Sequence, residues 1–132
     1  RRLFILHKVC RLSDLTEKQP YTIRLEGKEV GVIRVKDKIY AYENMCPHYG
    51  GPVCLGGVFG RVELELDEDK RVVREYVSDD VFHLVCPWHG YEFDLESGEC
   101  VFDSKLKLNR FPVTIKDDDV YVQLDQLEEA KR

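Results

Sequence analysis

The chain has 132 residues and a mass of 15.5 kDa, the size of one ordinary domain. It is 43% hydrophobic and 34% charged, which supplies a core and excludes intrinsic disorder. A net charge of −5 argues against a generic nucleic-acid binder, and five cysteines, an odd number, argue against a disulfide-stapled secreted domain.

At the N-terminus, Arg1-Arg2 precedes only the short apolar run Leu3 to Leu6, broken by His7 and Lys8. That is too short for a signal segment or a membrane span, so the expected compartment is the cytoplasm, with no membrane contact. Ser13-Asp14-Leu15-Thr16-Glu17 can cap a single helical turn that Pro20 ends. Period-two apolar runs then predict strands at Tyr21–Leu25, Val30–Val35, Ile39–Tyr42, Val62–Leu66, Val72–Val77, Val81–Val85, Tyr91–Leu95, Phe111–Ile115 and Val120–Leu124. Turn chemistry separates them at Glu26-Gly27-Lys28, Lys36-Asp37-Lys38, Asp67-Glu68-Asp69, Glu96-Ser97-Gly98 and Asp117-Asp118-Asp119. The segment from Asp125 to Arg132 reads as a short helix or tail. Many short strands at this spacing predict an all-β, antiparallel sandwich or barrel, one domain over 1–132.

Two Gly- and Pro-rich loops break the strand rhythm, Met45 to Gly57 and Cys86 to Gly90. Each supplies one thiol and one imidazole: Cys46 and His48 as Cys-x-His, Cys86 and His89 as Cys-x-x-His. Two sulfurs and two nitrogens suit either a tetrahedral zinc or a [2Fe–2S] cluster with both cysteines on one iron and both histidines on the other. The single residue between Cys46 and His48 is tight for gripping one ion and easier if the two side chains reach different metals. Pro47 and Pro87 stiffen the loops, and Gly50, Gly51 and Gly90 let backbone N–H groups approach inorganic sulfide.

The strings Cys-Pro-His-Tyr-Gly-Gly and Cys-Pro-Trp-His-Gly-Tyr-Glu-Phe-Asp-Leu-Glu-Ser-Gly-Glu resemble the two cluster-binding loops of Rieske [2Fe–2S] proteins. The similarity covers roughly Val30 to Leu124 and is strongest to soluble Rieske-type ferredoxins, meaning oxygenase ferredoxin components and nitrite reductase small subunits. The resemblance implies a β-sandwich base with a small cluster-binding β subdomain. It implies Cys46 and Cys86 on a buried iron and His48 and His89 on an outer one, through which electrons pass. Departures from the family are informative. High-potential members join a cysteine pair at the positions held here by Gly51 and Trp88, and they place sulfur-directed hydroxyl donors where Tyr91 and Phe93 stand. Fewer donors imply a potential at the low end of the Rieske range.

His48 and Cys86 are separated by 37 residues, a surplus that predicts an inserted hairpin at about 60–80. Residues 61–80 hold eight acids against four bases and so carry −4 of the net charge. They are a candidate for steering a basic partner face. Cys10, Cys54 and Cys100 read as free buried thiols, and His7 and His83 as structural residues in strands. Trp88 reads as a cluster shield or a loop anchor, Tyr49 and Tyr91 as packing or partner contacts. The chain lacks a substrate motif and a nucleotide fingerprint, so it is expected to be no enzyme. The expected role is an electron carrier, monomeric when free, between a flavin-dependent reductase and a terminal oxygenase or reductase. Alternatives are the small subunit of a nitrite reductase-like complex and a zinc-stapled binding module.

Overall fold

The computed structural model describes residues 4–125. Its elements in chain order are β1 (Phe4–Arg11), a 3-10 turn (Leu12–Asp14), β2 (Tyr21–Leu25), β3 (Lys28–Val35), β4 (Lys38–Glu43), a second 3-10 turn (Val53–Leu55) and β5 (Gly57–Leu66). There follow β6 (Val72–Val85), β7 (Glu92–Asp94), β8 (Glu99–Cys100), β9 (Asp103–Lys107), β10 (Arg110–Phe111), β11 (Val113–Lys116) and β12 (Asp119–Asp125). They form three antiparallel sheets with strand orders β1-β12-β11, β10-β4-β3-β2 and β5-β6-β7-β8-β9. Among the described residues no helix is long and apolar enough to cross a membrane.

The β10-β4-β3-β2 sheet is the middle layer. Side chains alternate across a strand, so Val30, Val32 and Ala41 enter one core with Val9, Cys10, Phe111, Val120, Val122 and Leu124. From the opposite face Ile33, Val35, Tyr40 and Tyr42 enter a second core with Val58, Phe82, Leu84, Phe93 and Leu95. Burial on both faces explains why β3 reads as an almost unbroken apolar run. Val30, Val32, Ile33 and Leu84 are wholly buried, and each contributes about 1.5–3 kcal/mol by leaving water.

Several boundaries differ from the sequence reading for identifiable reasons. The helical turn expected at Ser13–Glu17 sits at Leu12–Asp14, because the Asp14 carboxylate accepts the Arg11 N–H (2.9 Å) while Leu15 is buried as extended chain. The expected Phe111–Ile115 strand is split at Pro112, which has no N–H to donate. Phe111 therefore pairs with the middle sheet and Val113 with the outer one. Tyr91–Leu95 contracts to β7, and β8 and β9 are additional. β12 takes in Asp125, and 126–132 lie outside the described residues.

The runs Val72–Val77 and Val81–Val85 are one strand, β6, interrupted by a bulge. Buried Ser78 offers its hydroxyl oxygen to the N–H groups of Asp80 (3.1 Å) and Val81 (3.0 Å). The Lys36 ammonium donates to the Asp79 carbonyl and lies 3.7 Å from the Asp79 and Asp80 carboxylates, which ties the bulge to the β3–β4 turn. Beyond it, β5 and β6 continue as a two-stranded ribbon. Residues opposite one another share a face. Val62, Leu64, Leu66, Val72 and Val77 therefore line one side with Glu75, which stands opposite Leu64, and all are exposed. Glu63, Tyr76, Glu65 and Arg74 line the other, with Arg74 paired to Glu65 (3.1 Å) and packed over Tyr76. Asp67 closes the tip by accepting the N–H groups of Asp69 and Arg71 (both 2.9 Å).

Candidate metal centre

The two loops emerge from neighbouring strand ends. The first runs from the end of β4 to β5, the second from β6 to β7. They are closed in the same way, since each cysteine N–H donates to the carbonyl five residues on: Cys46 to Gly51 (2.8 Å) and Cys86 to Tyr91 (2.8 Å). Gly50 turns the first loop at φ 74°, and the second turns through His89 (φ 65°) and Gly90 (φ 68°). Asn44 fastens the first loop from behind by accepting the Cys54 N–H (2.8 Å).

This backbone sorts the four sequence-derived residues into two pairs. The Cys46 and Cys86 side chains are buried and in hydrogen-bonding contact. Burial pushes the Cys86 thiol up; the Trp88 backbone N–H pulls it down, and the neighbouring Cys46 pushes it up again. The imidazoles lie outward: His48 is half-buried and His89 exposed, their centroids 5.2 Å apart and their planes nearly perpendicular. Among the described residues no three His, Cys, Asp or Glu side chains converge as a single-ion site. Paired thiols inside and paired imidazoles outside fit a two-iron cluster, with one pair for each iron.

Aromatic rings surround the imidazoles. Tyr91 stacks on His48 (3.9 Å, 12° between planes), Tyr49 packs against His48 (4.0 Å) and His89 (5.6 Å), and Phe102 meets Tyr91 edge-on (4.8 Å). Sequence reasoning passed over Asn44 and Phe102. An apolar Val101-Phe102 pair at a tight turn was the available signal for the second, since turns favour Gly, Asn and Asp. His83 stands apart, buried beside Glu92 (3.1 Å), and His7 lies 3.6 Å from Glu26. Cys10, Cys54 and Cys100 are unpaired and buried, the first in one core and the other two in the second.

The model of the Rieske [2Fe-2S] domain matches residues 6–112 of the chain. The chain belongs to the Rieske family. It carries one Rieske-type cluster. Among its Rieske relatives is the nitrite reductase [NAD(P)H] of Emericella nidulans, 30% identical over 111 residues, which are 81% of this chain and 9% of the relative. Another is the ferredoxin component of the naphthalene 1,2-dioxygenase/salicylate 5-hydroxylase systems of a Ralstonia species, 25% identical over 115 residues, 86% of this chain and 90% of the relative. The ferredoxin of carbazole 1,9a-dioxygenase from Nocardioides aromaticivorans IC177 shares the Rieske fold, with a TM-score of 0.65 over 89% of this chain and 95% of that one at 21% identity. The chain spans at most 24% of four longer curated Rieske proteins.

Proposed function

We propose that this chain is a one-electron carrier whose cluster is held by Cys46 and Cys86 on the inner iron and His48 and His89 on the outer one. The observation that carries this reading is the sorting of the ligands into a buried thiol pair and an outward imidazole pair. When bound, the cluster supplies a one-electron couple. The chain's own residues do the rest. The core around Leu84, Phe93 and Val53 keeps water from the thiols, the Trp88 backbone N–H donates to the Cys86 sulfur, and Tyr91 fixes the plane of the His48 ring.

The role assigned is transfer from a flavin-dependent reductase to a terminal oxygenase or reductase, by a monomer in the cytoplasm without nucleic acid or membrane. The near-complete span of the Ralstonia ferredoxin component supports it. The stretch 30% identical to a nitrite reductase favours a second reading, an accessory electron-transfer part of a larger complex. Stable co-purification with a sirohaem subunit would favour the second, whereas a free chain that exchanges electrons with a separate flavin-dependent reductase would favour the first.

Purified protein is expected to be brown-red, with stoichiometric iron and sulfide, EPR-silent when oxidised and EPR-active when reduced. A colourless zinc protein would overturn the assignment. Cys46→Ala or Cys86→Ala is expected to abolish the colour, and His89→Cys to lower the midpoint because a thiolate gives iron more negative charge than an imidazole. Phe93, wholly buried, offers sulfur no donor, so the midpoint is expected nearer about −150 than +300 mV. A value above about +100 mV would contradict that argument.

A further inference from the structure

The two ligand loops touch through Trp88 and Gly51. A Cβ added at Gly51 would lie 2.8–2.9 Å from three atoms of the Trp88 indole, well inside the roughly 3.5–4.0 Å at which carbons pack. The Gly51 backbone is outside the left-handed region, so the chain's conformation does not demand glycine there. Its neighbour Gly50 is the converse case, with φ 74° and open space where a Cβ would go. Glycine at 51 is therefore required by the ring. The backbone at each end of this contact is bonded to a cysteine: the Gly51 carbonyl accepts the Cys46 N–H, and the Trp88 backbone N–H donates to the Cys86 sulfur. Gly51 is buried, whereas Trp88 is half-exposed, so the ring lies between Gly51 and solvent.

We propose that Trp88 seated on Gly51 is a non-covalent clasp that sets the two ligand loops against each other and keeps water from that flank of the cluster. Trp88 is thus a positioning residue acting through Cys46 and Cys86, and the proposal rests on their assignment as ligands. It accounts for a large aromatic side chain in one loop facing a position without a side chain in the other.

A double-mutant cycle on the full cluster-bearing chain tests it. The readouts are bleaching of the visible absorbance in excess chelator, midpoint potential, reduced-state EPR, and acrylamide quenching of Trp88, the chain's single tryptophan. Gly51→Ala is expected to bleach about tenfold faster, the scale of an overpacked contact, and to leave Trp88 more quenchable. Trp88→Ala is expected to bleach faster with a raised midpoint, because water stabilises the added charge of the reduced state, while Trp88→Phe stays near the wild type. In the double variant the Gly51→Ala penalty disappears, so that it bleaches at the rate of Trp88→Ala alone. Three results would overturn the clasp: a Gly51→Ala rate equal to wild type, an equal penalty in both backgrounds, or a Trp88→Ala midpoint and EPR spectrum identical to wild type. If Gly51→Ala retains no colour, recovery of colour in the double variant supports the clasp and its absence overturns it. An iron-free wild type would instead overturn the ligand assignment.

Discussion

Tyr42 and Cys54 show how the second core constrains single side chains. Tyr42 is wholly buried and its hydroxyl donates to the Leu95 carbonyl. Burial pushes it up from 10.0 to about 12, with Arg110 opposing and the Asp94 and Glu96 carboxylates reinforcing. Cys54, against Gly31, is pushed from 9.0 to about 12, again by burial, with the Gly31 N–H opposing. Both groups stay neutral in the folded chain where the unfolded chain ionises. Their contribution to stability is complete below pH 9 and is lost as pH rises from 9 towards 12. For Tyr42 the loss amounts to about 3 kcal/mol over that upper range. Urea unfolding against pH is expected to show this alkaline decline, and Cys54→Ala to make it shallower above about pH 9, with Cys10, whose thiol burial also pushes up, keeping part of it. An alkaline profile unchanged by Cys54→Ala would contradict the assignment. Tyr42→Phe reduces the tyrosine limb, of which Tyr40 keeps a share because burial and Glu96 push it up as well, and is expected to cost about 1–3 kcal/mol at neutral pH by leaving the Leu95 carbonyl without its donor. The inward phase of Tyr40 and Tyr42 was readable from strand alternation. The Leu95 carbonyl, 53 residues on, was not, because no local pattern encodes which loop a distant hydroxyl will meet.

Among the elements, β3 and the β5–β6 ribbon have similar apolar patterns and opposite surroundings. Val30, Val32 and Ile33 are covered from both sides, whereas Val62, Leu64, Leu66 and Val77 on the ribbon are exposed. The ribbon keeps its register instead through cross-strand pairs and the Asp67 turn. Leu84→Ala is therefore expected to cost about 2–5 kcal/mol, and Leu64→Thr less than about 0.5 kcal/mol, both read from denaturant midpoints at constant slope. A large loss at Leu64 would mean that its face is covered in solution. The same comparison marks what the sequence could disclose. Period-two alternation reveals strands wherever one or both faces are apolar, and paired Cys and His spacing singles out the two loops proposed to hold the cluster. Alternation says nothing of which sheet a strand joins, so the crossing at Pro112 and the continuity of β6 through Ser78 required the tertiary contacts. The short β8 and β9 hold too few apolar residues to register as a period. The Trp88–Gly51 contact joins two loops that only the fold brings together.

At the scale of the molecule, the β5–β6 pairing fixes where the ribbon's charge sits relative to the two Cys-His loops. β5 begins just after the first Cys-His loop and β6 ends just before the second, so the ribbon grows away from the proposed metal centre. Ten residues of β5 at about 3.4 Å each place the tip about 30 Å from the loops. That exceeds the roughly 8 Å Debye length at physiological salt, so the acids at 65–69 are too distant and too screened to tune the potential. Charge at that distance can still bias the orientation of an approaching basic surface before contact, an effect on association rate that fades with salt. Neutralising Glu65, Asp67, Glu68 and Asp69 to their amides is thus expected to leave the midpoint and EPR spectrum unchanged. Electron transfer with the proposed reductase partner at low ionic strength is expected to fall by about tenfold, the lower end of steering effects, with most of its salt dependence removed. Stopped-flow rates across an ionic-strength series decide it: an unchanged rate and slope would mean that the ribbon is only a solvated extension, and a shifted midpoint would mean that its charges act on the cluster directly.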